Sequence, residues 1–345
     1  MDLIHPHSAE AVATALVDAS EAGTRVLIVG GRTQIDRGNP SEIDIELWTT
    51  LLDRVVAYDP AEMIVVAEAG VRLRDLRQRL AAEGQEWPVD ADDDATVGGV
   101  IAAGADPIRQ LRVGLLRDSV LETEFVTGDG RRIRSGARTV KNVTGFDLHR
   151  LVTGSLGTLA CITSAALRVR PLPRAARTLV TNEGGPELAR QILDTVPMPA
   201  AVLTEPDRVT VRLEGWPDDV DAQERALRTV TVAGADEGPF PSPLFPDAET
   251  LVEIGVVPSR LTAVLDGRDA YRASPGVGLA WIPIDDRDEL EGLRERIGEL
   301  GGVAPVVRGG GGLGEAPVPA PDVQRRVKAT FDPSGILAPG RGWVT

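Results

Sequence analysis

Three glycine-rich turns are the parts of this 345-residue chain whose composition best suits ligand binding. In the first, Gly30 and Gly31 follow a short apolar run and precede Arg32, Thr33 and Gln34. A glycine turn lets backbone N–H groups approach an anion closely, because no Cβ atom stands in the way. Such a turn could hold a phosphate without a basic cluster, although an ordinary turn explains the same residues equally well.

Two further stretches of small residues raise the same question. Gly98 and Gly99 follow Thr96 and open a run of glycine and alanine, and residues 154–157 stand before a long apolar segment. The alternative for each stretch is tight packing of backbone against backbone. Three such turns beside predicted strands together favour an extended, phosphate-containing ligand.

Side chains suited to acid–base, nucleophilic or metal chemistry are scarce. The histidines are His5, His7 and His149, and the single cysteine is Cys161. One cysteine permits no internal disulfide and no cysteine-based zinc site. Its place in an alternating strand predicts a small buried residue. The sequence therefore assigns neither a catalytic residue nor a metal ligand.

The charge balance narrows the class of partner. Lys and Arg number 37 against 52 Asp and Glu, which gives a net charge of −15. A chain this acidic is a poor candidate for binding nucleic acid or an anionic membrane surface. The longest apolar run, residues 97–105, is far shorter than the ~20 residues of a membrane helix. With no signal-peptide pattern at the N-terminus, we expect a cytoplasmic protein.

Local patterns predict the elements that position these turns. A helix that begins after Ser8 and ends at Gly23 would bury Val12, Leu16 and Ala19 on one face. Strands are predicted at residues 25–29, 63–67, 119–127, 131–135 and 159–169, and helices at 71–83 and 144–152. Asp129 and Gly130 form a strong hairpin signal between two of these strands.

Residues after about 174 have the pattern of a different domain. Strands predicted at 177–181, 201–204, 209–213, 251–257 and 277–282 alternate with helices at 187–195, 219–229 and 286–300. This alternation favours an antiparallel sheet covered by helices on one face. A loop is predicted at 234–246, where Phe240 and Phe245 offer an apolar surface to a partner.

A glycine-rich run near the C-terminus resembles a dinucleotide motif only in its letters. Gly309, Gly311 and Gly314 satisfy G-x-G-x-x-G, but the prolines that follow exclude the helix that such a site needs. We interpret the run as a joint before a last helix at 321–331.

Six motifs in order along the chain resemble the FAD-binding domain of the vanillyl-alcohol oxidase/PCMH flavoprotein superfamily. They are Gly30-Gly-Arg-Thr-Gln-Ile-Asp-Arg-Gly38, Ala67-Glu-Ala-Gly70-Val-Arg-Leu, Thr96-Val-Gly-Gly99, Gly114-Leu-Leu-Arg-Asp118-Ser-Val-Leu, Lys141-Asn-Val-Thr-Gly-Phe-Asp-Leu148 and Gly154-Ser-Leu-Gly-Thr-Leu159. The ending Phe331-Asp-Pro-Ser-Gly-Ile-Leu-Ala-Pro-Gly-Arg341 is most similar to the FAD-binding subunits of glycolate oxidases. The resemblance is strong over 1–173, moderate over 321–342 and weak in between.

The resemblance implies an α+β fold in three parts. A two-part PCMH-type FAD-binding domain would span 1–173, and a smaller α+β cap of antiparallel sheet and helices would span 174–320. A C-terminal tail at 321–345 would return to the FAD domain. The implied cofactor is non-covalent FAD, since residues 30–38 contain no His or Cys for covalent attachment.

The resemblance also implies the residues that bind the cofactor. These are Gly30, Gly31, Arg32, Thr33, Gln34, Thr96, Gly98, Gly99, Gly114, Asp118, Gly157, Thr158, Ile162 and Arg341. The backbone of 30–34 would hold the pyrophosphate, and Gly157, Thr158 and Ile162 would lie near the adenosine. Arg341, together with Lys141 and Asn142, would lie near the flavin.

Three positions depart from the family pattern. Arg32 stands where a third glycine is common, Ala160 stands where glycine often follows Thr-Leu, and Ala338 replaces an asparagine common before Pro-Gly. Arg32 counts against pyrophosphate binding at this turn, and Ala160 would add a methyl group beside the adenosine site. Together the three departures leave open a scaffold protein that has lost FAD.

Related hydroxy-acid dehydrogenases use cap histidines to hold metal and abstract a proton, and this chain has no histidine after His149. The resemblance therefore implies an accessory FAD-binding oxidoreductase subunit that passes electrons from a 2-hydroxy acid such as glycolate. Its partners would be a catalytic flavoprotein subunit and an iron–sulfur subunit, in the cytoplasm or peripheral to the inner face of the membrane. The enzymatic alternative is a stand-alone flavin oxidase or dehydrogenase whose base is Asp, Glu, Tyr271 or Arg308.

Overall fold

The computed structural model describes residues 2–138, 145–232, 234–241, 245–310, 312 and 320–342. The chain divides into two compact units. The first comprises the described residues of Met1–Pro107, Leu115–Leu172 and Val318–Thr345, and the second those of Ile108–Gly114 and Pro173–Pro317. Among the described residues, no helix is both long and apolar enough to cross a membrane.

The helices and strands are numbered in chain order. Up to residue 172 they are β1 (Asp2–Ile4), α1 (Ala9–Ala22), β2 (Val26–Val29), β3 (Ile45–Trp48), β4 (Val55–Asp59), β5 (Ile64–Glu68), α2 (Leu73–Ala81), β6 (Gln85–Glu86), α3 (Val97–Ala103), α4 (Gln110–Val113), α5 (Leu116–Ser119), β7 (Val120–Thr127), β8 (Arg132–Gly136), α6 (Leu148–Val152), β9 (Ala160–Arg168) and β10 (Arg170–Pro171). Beyond it they are β11 (Ala175–Thr181), α7 (Pro186–Thr195), β12 (Ala201–Thr204), β13 (Val209–Gly215), α8 (Pro217–Arg228), β14 (Ala235–Glu237), β15 (Thr250–Gly255), α9 (Leu261–Leu265), β16 (Arg272–Ser274), β17 (Leu279–Ile284), α10 (Arg287–Glu299), β18 (Val306–Arg308) and α11 (Pro321–Phe331).

The first unit contains a small parallel sheet in the order β1-β3-β2. α1 leads into it and has the predicted bounds, because the Ser8 side chain accepts a hydrogen bond from the Ala11 N–H and Gly23 ends the helix at φ +66°. The predicted face of α1 is buried. β2 and β3 end side by side, with Val29 opposite Trp48.

The first unit also contains an antiparallel sheet in the order β4-β5-β9-β7-β8. One of its faces packs against α2 and α3, which bury Leu76, Leu80 and Ile101 in one apolar cluster with Phe125. Burial of side chains of this size stabilises a fold by roughly 1.5–3 kcal/mol each. The predicted hairpin between β7 and β8 is confirmed, but the sequence patterns did not predict α3.

The second unit is built on an eight-stranded antiparallel sheet in the order β14-β11-β13-β12-β16-β17-β15-β18. The chain passes twice through the same pattern, strand-helix-strand-strand-helix-strand, from β11 to β14 and from β15 to β18. Within the sheet, the first half is ordered β14-β11-β13-β12 and the second half β18-β15-β17-β16, so both halves have the same strand order. The two halves join through β12 and β16. Two copies of a split βαβ motif therefore form this sheet.

The helices of the second unit cover one face of its sheet, as the sequence patterns predict. α7 and α8 bury Ile192 and Leu227 against alternate residues of β13, while α10 buries Leu293 against β15. The opposite face carries Trp281, whose ring lies 5.1 Å from that of Phe245. Phe240 packs in the same cluster, so this pair covers the unit's own sheet.

The stretch 234–246 is only partly the predicted loop. Ala235–Glu237 forms strand β14, which pairs with β11 and places Ala235 opposite Thr181. The glycine and proline content predicted irregular structure, but ladder hydrogen bonds to a neighbouring strand decide the conformation of these three residues.

Candidate functional site

An open cleft lies at the carboxyl end of β2 in the first unit. The turn after β2 forms one wall, α3 and the turn at 156–157 form another, and the C-terminal tail contributes Arg341. The lining residues are Ile28, Gly30, Gly31, Arg32, Thr33, Gln34, Ile35, Thr96, Gly99, Val100, Ala102, Ala103, Leu156, Gly157 and Arg341. Most of the predicted cofactor-binding residues therefore line one cleft.

The turn after β2 has a row of backbone N–H groups without partners in the described part of the chain. The N–H groups of residues 31–36 make no hydrogen bond to any residue that the structure describes. Only at Arg37 does an N–H turn inward, to the carbonyl of Gln34 at 3.2 Å. Backbone N–H groups in a folded protein need a partner, and successive free groups of this kind suit an anion.

Gly30 and Gly31 are required by contact between the walls of the cleft. A Cβ atom on Gly30 would stand 2.2 Å from the Thr96 hydroxyl oxygen, and one on Gly31 would stand 2.1 Å from the Asp94 carbonyl oxygen. We interpreted these glycines from the sequence as space for a ligand. The structure shows that they also let the turn touch the segment before α3.

Arg341 brings a buried positive charge to the cleft. Its residue is 9% exposed, and one Nη donates to the Ile35 carbonyl at 2.6 Å. Its Nε finds no partner among the described residues, and neither does the Gln34 side-chain oxygen. Burial lowers the pKa of the Arg341 guanidinium, although such a group stays charged at neutral pH. Buried polar atoms without partners mark a place where a ligand completes the hydrogen bonding.

Arg32 reaches away from the backbone wall to a buried carboxylate. Its Nη1 donates to both Glu46 carboxylate oxygens, at 2.8 and 2.9 Å, and its guanidinium lies 5.7 Å from the centre of the Trp48 ring. Arg32 adopts φ +62°, and Ala338 adopts φ +38°. Both values lie in the left-handed region that glycine and asparagine tolerate best, and these are the residues that the resemblance leads us to expect at the two positions.

Five predicted cofactor-binding residues lie outside the lining of this cleft. Gly98 packs on the strand segment after β5, where its Cβ would stand 2.6 Å from that of Ala69, and Ile162 is buried in the core. Asp118 forms an ion pair with Arg150 at 3.2 Å. The Thr158 carbonyl accepts a hydrogen bond from Lys328, and Gly114 belongs to the second unit. Lys141 and Asn142 lie outside the described residues, as do Gly311 and Gly314 of the glycine-rich run.

Most of the apolar lining comes from the two further stretches of small residues singled out in the sequence. Val100, Ala102 and Ala103 come from α3, and Leu156 adopts φ +54° in the turn before β9. The sequence patterns did not predict α3, although the spacing of Thr96, Gly99, Val100 and Ala103 is that of one helical face. Its many glycines, which disfavour helices, hid the pattern.

The remaining candidates for chemistry are closed off. His149 is 6% exposed and burial lowers its pKa, while its Nδ1 lies 3.4 Å from the Ser135 hydroxyl. Burial raises the pKa of the Cys161 thiol to about 12. Within the described parts of the chain, no group of three or more His, Cys, Asp or Glu side chains could hold a metal ion.

Comparison with known proteins identifies the relatives of the chain. The family profile described as an FAD binding domain matches residues 3–136. Glycolate oxidase subunit GlcE of Escherichia coli is 31% identical over 299 residues, which cover 83% of this chain and 84% of that protein. The similarity therefore extends through both units of the chain.

Other relatives match about half of the chain. D-lactate dehydrogenase of Archaeoglobus fulgidus is 36% identical over 174 residues, which are 50% of this chain and 39% of that enzyme. Glycolate oxidase subunit GlcD of Bacillus subtilis is 27% identical over 197 residues, or 42% of that subunit. Among solved structures, alkyldihydroxyacetonephosphate synthase has a TM-score of 0.70 at 17% identity, covering 98% of this chain and 76% of its own. That likeness shows the fold.

Proposed function

This chain belongs to the PCMH-type FAD-binding flavoprotein family, with FAD as its cofactor, and we propose that it serves as the FAD-binding subunit of a complex that oxidises a 2-hydroxy acid. The observation that carries the proposal is the cleft after β2, which residues 31–35 and Arg341 line together. The N–H groups of residues 31–35 and the Arg341 Nε have no partner among the residues that the structure describes. FAD, when bound, supplies reversible acceptance of two electrons. The protein's task is to bind, orient and stabilise that group.

The cleft suits the most negatively charged part of the cofactor. The N–H groups of residues 31–36 can donate to phosphate oxygens, and Arg341 adds a full positive charge in a place shielded from water. We therefore place the diphosphate between the turn and Arg341. Thr96, Gly99 and Gly157 line the continuation of the same cleft. With Arg32 held by Glu46, its side chain leaves this backbone wall open.

An accessory role agrees with the shortage of a general base. No histidine occurs after His149, so the second unit contains none. Tyr271 is 6% exposed and burial raises its pKa, while the Arg308 guanidinium donates to the carbonyls of Pro246 and Ala248. A base must meet the substrate and accept its proton at working pH. We infer that substrate oxidation takes place on a partner flavoprotein similar to GlcD, and that an iron–sulfur subunit accepts the electrons.

The first test is to purify the chain alone and record its visible spectrum before and after heat denaturation. A flavin spectrum with dye released into the supernatant, identified as FAD by chromatography, supports the cofactor site. A colourless protein that takes up no added FAD contradicts it.

The second test concerns the reaction. Glycolate and D-lactate are added without oxygen to the FAD-loaded chain, with and without a GlcD-type flavoprotein. We expect the flavin of the isolated chain to stay oxidised and to bleach only with the partner present. Bleaching of the isolated chain by either acid would instead establish a stand-alone dehydrogenase.

A further inference from the structure

Arg32 occupies a backbone conformation that an arginine does not choose by itself. It lies in the turn after β2 with φ +62°, the left-handed region in which an L-residue crowds its Cβ against the following carbonyl oxygen. The N–H groups of residues 31–36 around it are free of protein partners among the described residues. The backbone N–H of Arg32 therefore makes no hydrogen bond to a described residue that would hold this conformation.

The contacts of the Arg32 side chain hold the residue in this conformation. Glu46 on β3 is 2% exposed and receives two hydrogen bonds from Arg32 Nη1 and one from Trp48 Nε1 at 2.9 Å. The guanidinium also lies over the Trp48 ring. A buried carboxylate needs a cation close by, and Arg32 is its basic partner in an ion pair at 2.8 Å.

We propose that Glu46 is a positioning residue for the cofactor cleft: it clamps the Arg32 side chain and so keeps residue 32 left-handed and the turn's N–H groups directed as FAD requires. Glycine would adopt this left-handed conformation because it has no Cβ atom, whereas Arg32 is held in it by an ion pair with a distant residue. The part of this inference that concerns FAD rests on the proposed function.

The clamp and a direct ligand contact by Arg32 predict different double-mutant behaviour. In Glu46→Gln the side chain keeps its shape and can still accept from Trp48, but the charge that holds Arg32 is gone. We expect FAD affinity to fall about tenfold, since residue 32 can then leave the left-handed region. In Arg32→Gly, glycine adopts that region by itself, and FAD affinity should stay within about threefold of wild type.

The combined variant R32G/E46Q completes the test. Glycine supplies the conformation and glutamine needs no cation, so the variant should bind FAD about as tightly as R32G does. A merely structural ion pair would lower the thermal stability of E46Q but would not make its effect on FAD affinity depend on residue 32. Affinity is measured by titrating ligand-free protein with FAD and following flavin fluorescence.

A ligand-free measurement separates the clamp from the proposed function. Trypsin cleaves after an arginine only when the backbone around it can unfold locally. Cleavage between Arg32 and Thr33 is followed by mass spectrometry. E46Q should be cut there several-fold faster than wild type. The matched control is Glu42→Gln, which removes a carboxylate that is 87% exposed and bonds Arg25. E42Q should change neither the cleavage after Arg32 nor the FAD affinity.

Two results would overturn the inference. If R32G/E46Q, which leaves no unpaired carboxylate, binds FAD as weakly as E46Q, the arginine side chain itself serves the ligand. If E46Q changes neither cleavage nor affinity, Glu46 does not hold the turn. Should wild-type protein take up no FAD, the proposed function fails, and cleavage after Arg32 alone decides: faster in E46Q supports the clamp, unchanged refutes it.

Discussion

Two turns of the first unit differ in whether their backbone N–H groups are hydrogen-bonded. The cleft turn, residues 30–36, leaves the N–H groups of 31–36 without partners among the described residues. The tail turn, residues 332–337, satisfies its own: the Asp332 carboxylate accepts from the N–H groups of Ile336 and Leu337 at 3.0 and 2.9 Å. A turn that closes on itself serves the fold, whereas one that stays open is available to a ligand.

The closed turn also positions the open one. Lys328 on α11 donates to Asp332, to the Thr158 carbonyl and to the Leu337 carbonyl, at 2.6, 2.6 and 3.0 Å. The tail then runs beside β2, where Val26 exchanges backbone hydrogen bonds with Ile336 and Ala338. This pairing brings Arg341 to the cleft, so the tail turn supports the position of that side chain.

Asp332→Ala should have the largest effect. The Asp332 side chain is wholly buried, so its loss leaves two N–H groups without their acceptor and removes the carboxylate that pairs with the Lys328 ammonium. We expect the free energy of unfolding to fall by about 3 kcal/mol or more, measured by urea denaturation. The control Asp322→Ala removes a carboxylate on the same helix that is 89% exposed and should cost at most about 0.5 kcal/mol. Equal losses of stability in the two variants would show that the hydrogen bonds of Asp332 do not stabilise the tail turn.

Arg341→Met should lower the affinity for FAD and leave the free energy of unfolding nearly unchanged. The variant loses one donor to the Ile35 carbonyl but also removes a buried nitrogen that has no partner among the described residues. Ligand-free protein should therefore unfold at a similar urea concentration, while FAD affinity falls about 10- to 100-fold. Arg325→Met, at an arginine that is 57% exposed, is the control. A loss of stability without loss of affinity would make Arg341 part of the closed turn.

Gly31→Ala should weaken both properties together. The added Cβ would stand 2.1 Å from the Asp94 carbonyl oxygen, so the cleft turn must move away from the segment before α3. We expect a loss of roughly 1–2 kcal/mol in stability and a parallel loss of FAD affinity. Gly298→Ala on α10, where nothing lies within 4 Å, should instead stabilise by about 0.5–1 kcal/mol. Unchanged affinity in G31A would show that the cleft tolerates movement of this wall.

Cys161 reports on the closed turn with the smallest effect. Its thiol packs with Ile336 and Leu337, and its pKa rises from 9.0 to about 12 in the folded protein. A raised thiol pKa means that stability holds below pH 9 and falls as pH rises from 9 towards 12, by about 1 kcal/mol at pH 9.5. Cys161→Ala should remove this part of the slope.

The same thiol can be labelled. A disulfide reagent at pH 8 should leave native Cys161 unmodified and label it quickly in D332A, where the tail turn loosens. Rapid labelling of the native wild-type protein would show that the turn opens on its own.

The sequence patterns predicted those parts of the fold that depend on near neighbours. Ser8 and Gly23 bound α1 as capping rules require, and Leu73, Leu76 and Leu80 form the buried face of α2. They missed α3, because glycines mask its periodicity, and β14, because pairing with a distant strand overrides its loop-like composition. For the site, the order of the motifs identified the family of the cofactor, but not which motif residues share a cleft.

The sequence by itself determined the capped helices and the hairpin, since these depend on residue types within a few positions of one another. It also determined the membership of a flavoprotein family, since the order of the motifs along the chain can be read without the fold. The tertiary structure decided that Gly31 touches Asp94, that Arg32 is held by Glu46, and that Arg341 meets Ile35 from 306 positions away. Such contacts depend on how strands are ordered and how the tail returns to β2. No local preference encodes them, because their free energy is gained only once the whole unit has packed.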